Sequence, residues 1–498
     1  MKKAQLVALV LVLSAFATFI ASCTHQGDTG ELSDPAVSGD SGIVSDAEQG
    51  FPLEKKFFDG TEITVLCVGR HTYGEMQFVS DDEIVANVVN DAVAMRNDLI
   101  EEEYGLKIRT VAEDYPVEKL RLAVNSGLDD YDMICDTMMA LMPLIPEGLY
   151  LPLDGYVDIE REWWDQNANE LLTLNDRHYL LSGDAIITDD DYTYLLLFNK
   201  EMYDDSDFSA EYGNIYDLVR NGEWTYDVMY EMMRAVSQPD ENGSWTENAI
   251  YGMVGSVNIG NVFMNAAGLL PCERTSDGGI RISIGDDVNL GTFNSVFDMF
   301  SDRTLTMLVE QFSSGGWDII NNSFREGRSL FYSTNASTIS VFKNTQEDVI
   351  SFGVVPTPKY SKDQERYYNT VNSGNSSVLA VASTNVERLE ATCYLLELLG
   401  YYGKNTPFKS INEAYYETTL KLQAVESDDD AEMLDLIFDS RIYDIYTMMP
   451  WGSSPTLGQL YGTELMSSSD TTVSLLDSKR QSYEAAIEET LEEFAKYN

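Results

Sequence analysis

Between Ile63 and Cys135 the chain reads strand, helix, strand, helix, strand, and that alternation restricts the fold more than any other feature. Ile63-Thr-Val-Leu-Cys-Val68 is a β-branched run stopped by Gly69. The spacing of Ile84, Val88, Val89, Ala92, Met95 and Leu99 predicts a helix over 81–104. Asp81, Asp82 and Glu83 stand at its start, where carboxylates suit the helix dipole, and Gly105 follows its end. Leu106 to Val111 predicts a second strand, Val117 to Ser126 a second helix, and Tyr131 to Cys135 a third strand. A parallel sheet with right-handed crossovers is the compact solution for such a pattern, so the fold class is α/β.

A second constraint lies in Tyr192 to Tyr203. Leu195, Leu196, Leu197 and Phe198 run without polar alternation between Asp189-Asp190-Asp191 and Asn199-Lys200. A strand of that kind is buried on both faces. The chain before it is α/β and the chain after it is helix-rich with a fresh apolar pattern, so the run marks a passage from one lobe to another. The length of 498 residues supports this, being too great for one comfortable core. Leu330-Phe331-Tyr332-Ser333 is a second short apolar run and reads as the return crossing. The expected division is 55–190 and 331–380 for lobe one and 191–330 and 381–460 for lobe two. The remaining segment, 461–498, is expected as a C-terminal helical segment packed on both. Met229, Met232 and Met233 form a helical core face.

The first residues carry an address. Lys2 and Lys3 precede an apolar run, Leu6 to Ile20, which ends in Ile20-Ala21-Ser22-Cys23. A basic start, a short apolar stretch and small residues before the cut are an export signal. It resembles a bacterial lipoprotein signal, with residues 1–22 removed and lipid placed on Cys23. Residues 23–54 are rich in Gly, Ser, Asp, Pro and Glu and read as a disordered tether. The expected location is the extracytoplasmic face of the cell membrane. Cys67, Cys135, Cys272 and Cys393 do not have the spacing of a disulfide framework or zinc knuckle, and Cys67 and Cys135, in apparent parallel strands, read as small buried hydrophobes rather than a bridge.

A balance of 32 Lys+Arg against 83 Asp+Glu, a formal charge of -51, argues against nucleic acid and against adhesion to an anionic membrane surface. No G-x-S-x-G, H-E-x-x-H, Walker A or glycine-rich dinucleotide motif is present. The histidines are His25, His71 and His178, which removes a histidine-rich metal site. The segment Asp240 to Glu247 lacks the full ligand spacing of a calcium loop and reads as an acidic turn. No cofactor or metal is expected.

Taken in order, the lipoprotein-like start, the first strand, Tyr131-Asp-Met-Ile134, Tyr194 to Lys200, Gly222-Glu-Trp-Thr-Tyr-Asp227, Ala266-Ala-Gly268, Phe324-Arg-Glu-Gly-Arg-Ser-Leu-Phe331, Gly353-Val-Val-Pro356 and the helix from Tyr483 to Phe494 resemble the extracellular solute-binding proteins of ABC importers. More narrowly they resemble the carbohydrate-binding, maltodextrin-binding-like branch. The resemblance implies a two-lobed, periplasmic-binding-protein-like clamshell whose lobes are joined by hinge strands. It implies a carbohydrate ligand in the cleft, an ABC permease as partner, a monomer, and no enzymatic activity. It puts the first crossing at Tyr194 to Lys200, the second near Leu330 to Ser333 and the third near Val378 to Ser383. One departure is the stretch from Leu399 to Leu476, longer and more irregular than a minimal member needs, whose relation to the cleft stays open.

Candidate site residues come from two arguments. In a parallel sheet the loops at the carboxyl ends of strands border the binding crevice, which selects Arg70, His71 and Tyr73 after the first strand and Asp136 and Thr137 after the third. Arginine offers paired donors to hydroxyls or a carboxylate, and a buried aspartate accepts from hydroxyls. Sugar rings also stack on aromatic side chains, which adds Trp317, Trp451 and Tyr194. Trp224 reads as packing within its own lobe, and Trp163, Trp164 and Trp245 as structural. Asn265, beside Ala266-Ala-Gly268, and Asn335 and Asn375, next to apparent crossings, complete the set. Two other readings remain open: an oligopeptide or other polar solute in the same cleft, and a secreted polysaccharide-processing enzyme. The enzyme would need two carboxylates about 5 to 9 Å apart across a groove. A surface adhesin or scaffold would have no ligand-sized cleft.

Overall fold

A computed structural model describes residues 50–84, 87–174, 177–276, 278–345, 348–406, 409–422 and 426–496. The expected export signal, Cys23 and most of the expected tether lie outside the described residues. Among the described residues no helix is long and apolar enough to cross a membrane.

Lobe one begins with β1 (Thr61–Val68), whose last six residues are all buried. Next comes α1 (Val88–Tyr104), seven residues shorter at its start than the periodicity predicts. The reason is local. The Asn87 side chain accepts from the N–H groups of Val89 (3.0 Å) and Asn90 (3.1 Å) and caps the helix there. Asn90 then reaches back, accepting from Asp81 N at 2.8 Å, and holds the acidic segment as a loop. Gly105 ends the helix at φ 65°, a left-handed conformation that suits glycine. β2 (Leu106–Glu113), α2 (Pro116–Asn125) and β3 (Met133–Thr137) follow as expected. β1 pairs in parallel with β2 on one side and β3 on the other.

Lobe two opens with β4 (Tyr194–Asn199), buried at every position. Leu196 and Phe198 face one hydrophobic cluster and Leu195 and Leu197 another, which is why the run carries no polar alternation. β5 (Tyr251–Gly255), α3 (Ile259–Ala266), β6 (Thr306–Leu308), α4 (Gly316–Arg325), β7 (Ser329–Asn335) and β8 (Phe352–Val355) complete the layer. The sheet order is β6-β5-β7-β4-β8, with β4 antiparallel to both neighbours. Gly353 in β8 lies against the Phe198 ring so closely that a Cβ would stand 2.2 Å from it, so the strand tolerates no side chain there.

The chain then returns to lobe one with β9 (Ser377–Val381), antiparallel to β3, and α5 (Leu389–Lys404), whose leucines join Ile63 and Val65 in one core. It passes once more into lobe two, where α6 (Asp428–Asp439) packs on β8. The last helix, α7 (Thr472–Ala495), touches both Leu460–Leu465 and the Met142–Glu147 turn of lobe one.

The crossings differ from expectation. Residues 331–355, expected to return to lobe one, stay in the lobe-two sheet, because β7 is hydrogen-bonded between β4 and β5 and β8 covers the other edge of β4. Residues 381–404, expected in lobe two, lie in lobe one. Leu196, Tyr332 and Leu379 therefore sit inside sheets rather than in the hinge. Two of the passages are the helical turn Thr188–Asp191, leading to the Thr193–Val371 bridge, and the segment 371–376 before β9. Apolar runs identify buried strands, but do not say which sheet accepts them. The parallel pairing of Asn369–Thr370 with Arg441–Ile442 adds a small third layer beside these passages.

Arg441 braces that region. Its guanidinium, 19% exposed, meets Asp189 at 3.4 Å, Asp165 at 3.5 Å and Asp190. Tyr443 donates to Asp165 at 2.7 Å, Tyr415 to Asp191 at 2.7 Å and Asn412 to Asp184 at 2.7 Å. Burial lifts Asp184 and Asp191 to about 7.

Candidate functional site: a cleft between the lobes

A cleft of about 680 Å³ lies where the two sheets present their loops to each other. Lobe one supplies Arg70, Tyr115, Glu118, Arg121, Asp136, Met139 and Leu144. Lobe two supplies Tyr194 and three asparagines, Asn258, Asn261 and Asn265. The passage into β9 adds Asn372 and Ser373, and the irregular C-terminal stretch adds Met448, Met449, Pro450 and Gln459.

Strand ends position the lobe-one groups. Asp136, 2% exposed near the end of β3, accepts from the Thr137 N–H at 2.7 Å and from Arg70 at 3.3 Å. Burial raises its carboxyl above the usual range, against the pull of that N–H and of Arg70. Arg70 also donates to the Asp114 carbonyl and lies over the Tyr115 ring, 5.7 Å from its centroid. Tyr115 is 73% exposed, an open aromatic face at the cleft. Arg121 is held by Glu118 at 2.6 Å and by both oxygens of Glu147 at 2.7 and 3.0 Å. Each cleft arginine thus carries its own carboxylate, and the cleft presents dipoles more than net charge.

The lobe-two wall is a row of carboxamides. Asn258 donates to the Tyr194 hydroxyl at 3.3 Å and Asn372 to the same oxygen at 3.4 Å. Asn261 donates to the Gly458 carbonyl at 2.8 Å, and Asn265 to Asp444 at 3.4 Å. Spacings of three and four along α3 put all three asparagines on one face. That spacing is visible in the sequence and extends the choice of Asn265 to the whole row.

Of the expected site residues, the fold brings Arg70, Asp136, Tyr194 and Asn265 together at the cleft. Thr137 contributes through its backbone, as above. His71 and Tyr73 turn to the hinge instead: Tyr192 reaches His71 Nδ1 at 3.4 Å, and Tyr73 meets the edge of Tyr415 with ring centroids 5.4 Å apart. Burial and the adjacent Arg70 lower the pKa of His71. Asn375 donates its N–H to the Asn372 carbonyl at 3.0 Å and so shapes the turn behind a lining residue. Asn335 ends β7 opposite Tyr194 without lining the cleft.

The two tryptophans are corrections. Trp317 is 54% exposed in the first turn of α4 and stands outside the cleft. Trp451 is 3% exposed and donates to Thr490 at 2.9 Å on α7, so its indole fills the joint between Pro450-Trp-Gly and the last helix. Flanking Gly, Ser and Pro residues signal a loop, but the direction of the ring depends on a partner 39 residues downstream. Tyr115, Arg121 and Gln459 carry no signal in the sequence that separates them from surface residues.

No protein-family model matches the chain, and no curated protein sequence matches it. Solved structures do match. A cyclic α-maltosyl-1,6-maltose binding protein from Arthrobacter globiformis aligns with 86% of this chain and 99% of its own at 12% identity and a TM-score of 0.56. A cyclo/maltodextrin-binding protein complexed with maltotetraose aligns over 88% and 97% at 14% identity, TM-score 0.54. A solute-binding protein of an ABC transporter from Thermotoga lettingae, bound with α-D-tagatose, aligns over 87% and 100% at 13% identity, TM-score 0.51. The chain has the two-lobed α/β clamshell fold of periplasmic, solute-binding proteins.

Proposed function

We propose that the protein is the substrate-binding component of an ABC importer, capturing a sugar or oligosaccharide between its lobes and delivering it to the permease without chemistry. The observation that carries this reading is the composition of the cleft: four asparagines, a serine and paired charges facing one open tyrosine ring, contributed by both lobes. Carboxamides offer donor and acceptor to vicinal hydroxyls, and an aromatic face suits the C–H side of a pyranose. Ligand contacts from two lobes favour a closed state over an open one, which is the signal a permease can read. The solved structures with the same fold and sugar in their names lend support of the same kind. Export and a lipid anchor on Cys23 would hold the body at the extracytoplasmic face of the membrane.

The hydrolase alternative needs two carboxylates opposed across a bond. Among the described residues, the carboxylates that line the cleft, Glu118 and Asp136, both come from lobe one, and each is paired with an arginine.

A thermal-shift screen of the exported body against mono-, di- and oligosaccharides tests the proposal. A ligand at one hundred times its Kd adds about 2.7 kcal/mol of apparent stability. At least one sugar is expected to raise the melting temperature in a concentration-dependent way. Shifts from oligopeptides with none from any sugar would overturn the carbohydrate reading.

A further inference from the structure

Tyr115 and Glu118 border two hollows at once. One is the cleft, and the other is a groove of about 720 Å³ on lobe one, lined also by Glu113, Asp114, Lys119 and Leu122. The groove runs from the end of β2, the edge strand of its sheet, along α2. Tyr115, Glu118, Lys119 and Leu122 follow one another at helical spacing, so they form a row on one face. The two hollows meet at the first members of that row, and the cleft continues over Tyr115 into the groove.

The residue at this boundary does not serve the helix. Tyr115 occupies the N-cap of α2, and its side chain makes no capping hydrogen bond. Serine, threonine, aspartate or asparagine there would satisfy a free N–H of the first turn, so a tyrosine gives up the cap to present a ring. The ring is 73% exposed and is steadied by Arg70, whose guanidinium lies 5.7 Å from its centroid and is itself tied to the Asp114 carbonyl and to Asp136. Leu122, at the far end of the row, is 67% exposed. Between them stand Glu118 and Lys119, the latter paired with Glu113 at 3.2 Å. Open apolar surfaces separated by carboxylate acceptors match a sugar chain, which alternates C–H faces with hydroxyl donors.

Building on the carbohydrate reading above, we infer that the ligand is a linear oligosaccharide longer than the cleft, whose chain leaves over the Tyr115 ring and lays its outer units along the α2 row to Leu122. From Tyr115 to Leu122 the helix rises about 10 Å, room for about two pyranose units beyond the cleft. Those outer units touch lobe one alone. They add affinity for long chains without driving closure, which is favoured only by contacts that the closed state makes and the open state lacks.

The test is calorimetric titration of the protein with linear malto-, cello-, xylo- and manno-oligosaccharides of one, two, four and six units, using the parent, Leu122→Asn and Tyr115→Ala. In the series that binds, the hexasaccharide is expected to bind at least tenfold more tightly than the disaccharide. Leu122→Asn should remove threefold or more of that gain and leave the disaccharide unchanged, which separates contact in the groove from the larger number of registers a long chain offers. Tyr115→Ala should weaken the hexasaccharide more than the disaccharide. Both side chains are exposed, so each variant is expected to melt with the parent. If no sugar of any length binds the parent, the carbohydrate reading fails and this inference with it. If only monosaccharides bind, or the hexasaccharide is no tighter than the disaccharide, the inference alone is overturned. It is overturned as well if either variant affects the two lengths equally or not at all.

Discussion

Replacing Arg441 with methionine removes the cation that three carboxylates share at the passage between the lobes. Asp165, Asp189 and Asp190 are 8%, 4% and 18% exposed at their side chains, so solvent takes over little of the guanidinium's role. Burial already raises Asp189 and Asp190, and Arg441 is the chief group opposing that rise. Breaking a buried pair from one side costs about 3–5 kcal/mol. Unfolding entropy of about 2 cal/mol/K per residue makes each degree worth roughly 1 kcal/mol in a body of this size, so the melting temperature should drop by about 3–5 °C at pH 7.5. The drop should be smaller at pH 5.0: Asp189, raised to about 8, already holds much of its proton at pH 7.5, and the lower pH brings the raised carboxyl of Asp190 closer to neutral without the arginine. Scanning calorimetry of parent and variant at the two pH values reads this directly. A loss below 1 °C at pH 7.5, or an equal loss at both, would refute the view that Arg441 acts as a counter-charge rather than as packing.

Three further outcomes follow from the same geometry. Parent stability should fall between about pH 4 and pH 7, because Asp184 and Asp191 hold protons in the folded state up to about 7 that the unfolded chain releases near 3.8; urea melts at pH 5.0, 6.5 and 8.0 check the sign, and Asp184→Asn should flatten the slope. Trp451→Phe should cost about 1 kcal/mol through the lost hydrogen bond to Thr490 while leaving sugar affinity within twofold, which a melt and a titration on one sample distinguish. Asp136→Asn should weaken sugar binding at least tenfold in titration with little loss of melting temperature, since the amide oxygen keeps the Thr137 N–H and no buried charge remains.

The backbone pattern is legible in the sequence wherever the physics is local. The β-branched run ended by Gly69 marks β1, and the missing polar alternation of Leu195 to Phe198 marks a strand covered on both faces. Loops at the carboxyl ends of parallel strands place Arg70 and Asp136 at the cleft from the strand pattern alone. What the chain by itself does not decide is partnership. Whether Leu330 to Ser333 belongs to one lobe or the other depends on which strand edges are free when it arrives, and β4 and β5 offer theirs. Whether Trp451 faces ligand or core depends on where α7 docks, and the amide of Asn265 is directed by Asp444, far along the chain. Hydrophobic periodicity and caps act between neighbours a few residues apart, so they are written in order along the sequence. Sheet edges, ring directions and amide orientations are set by groups that only folding brings together.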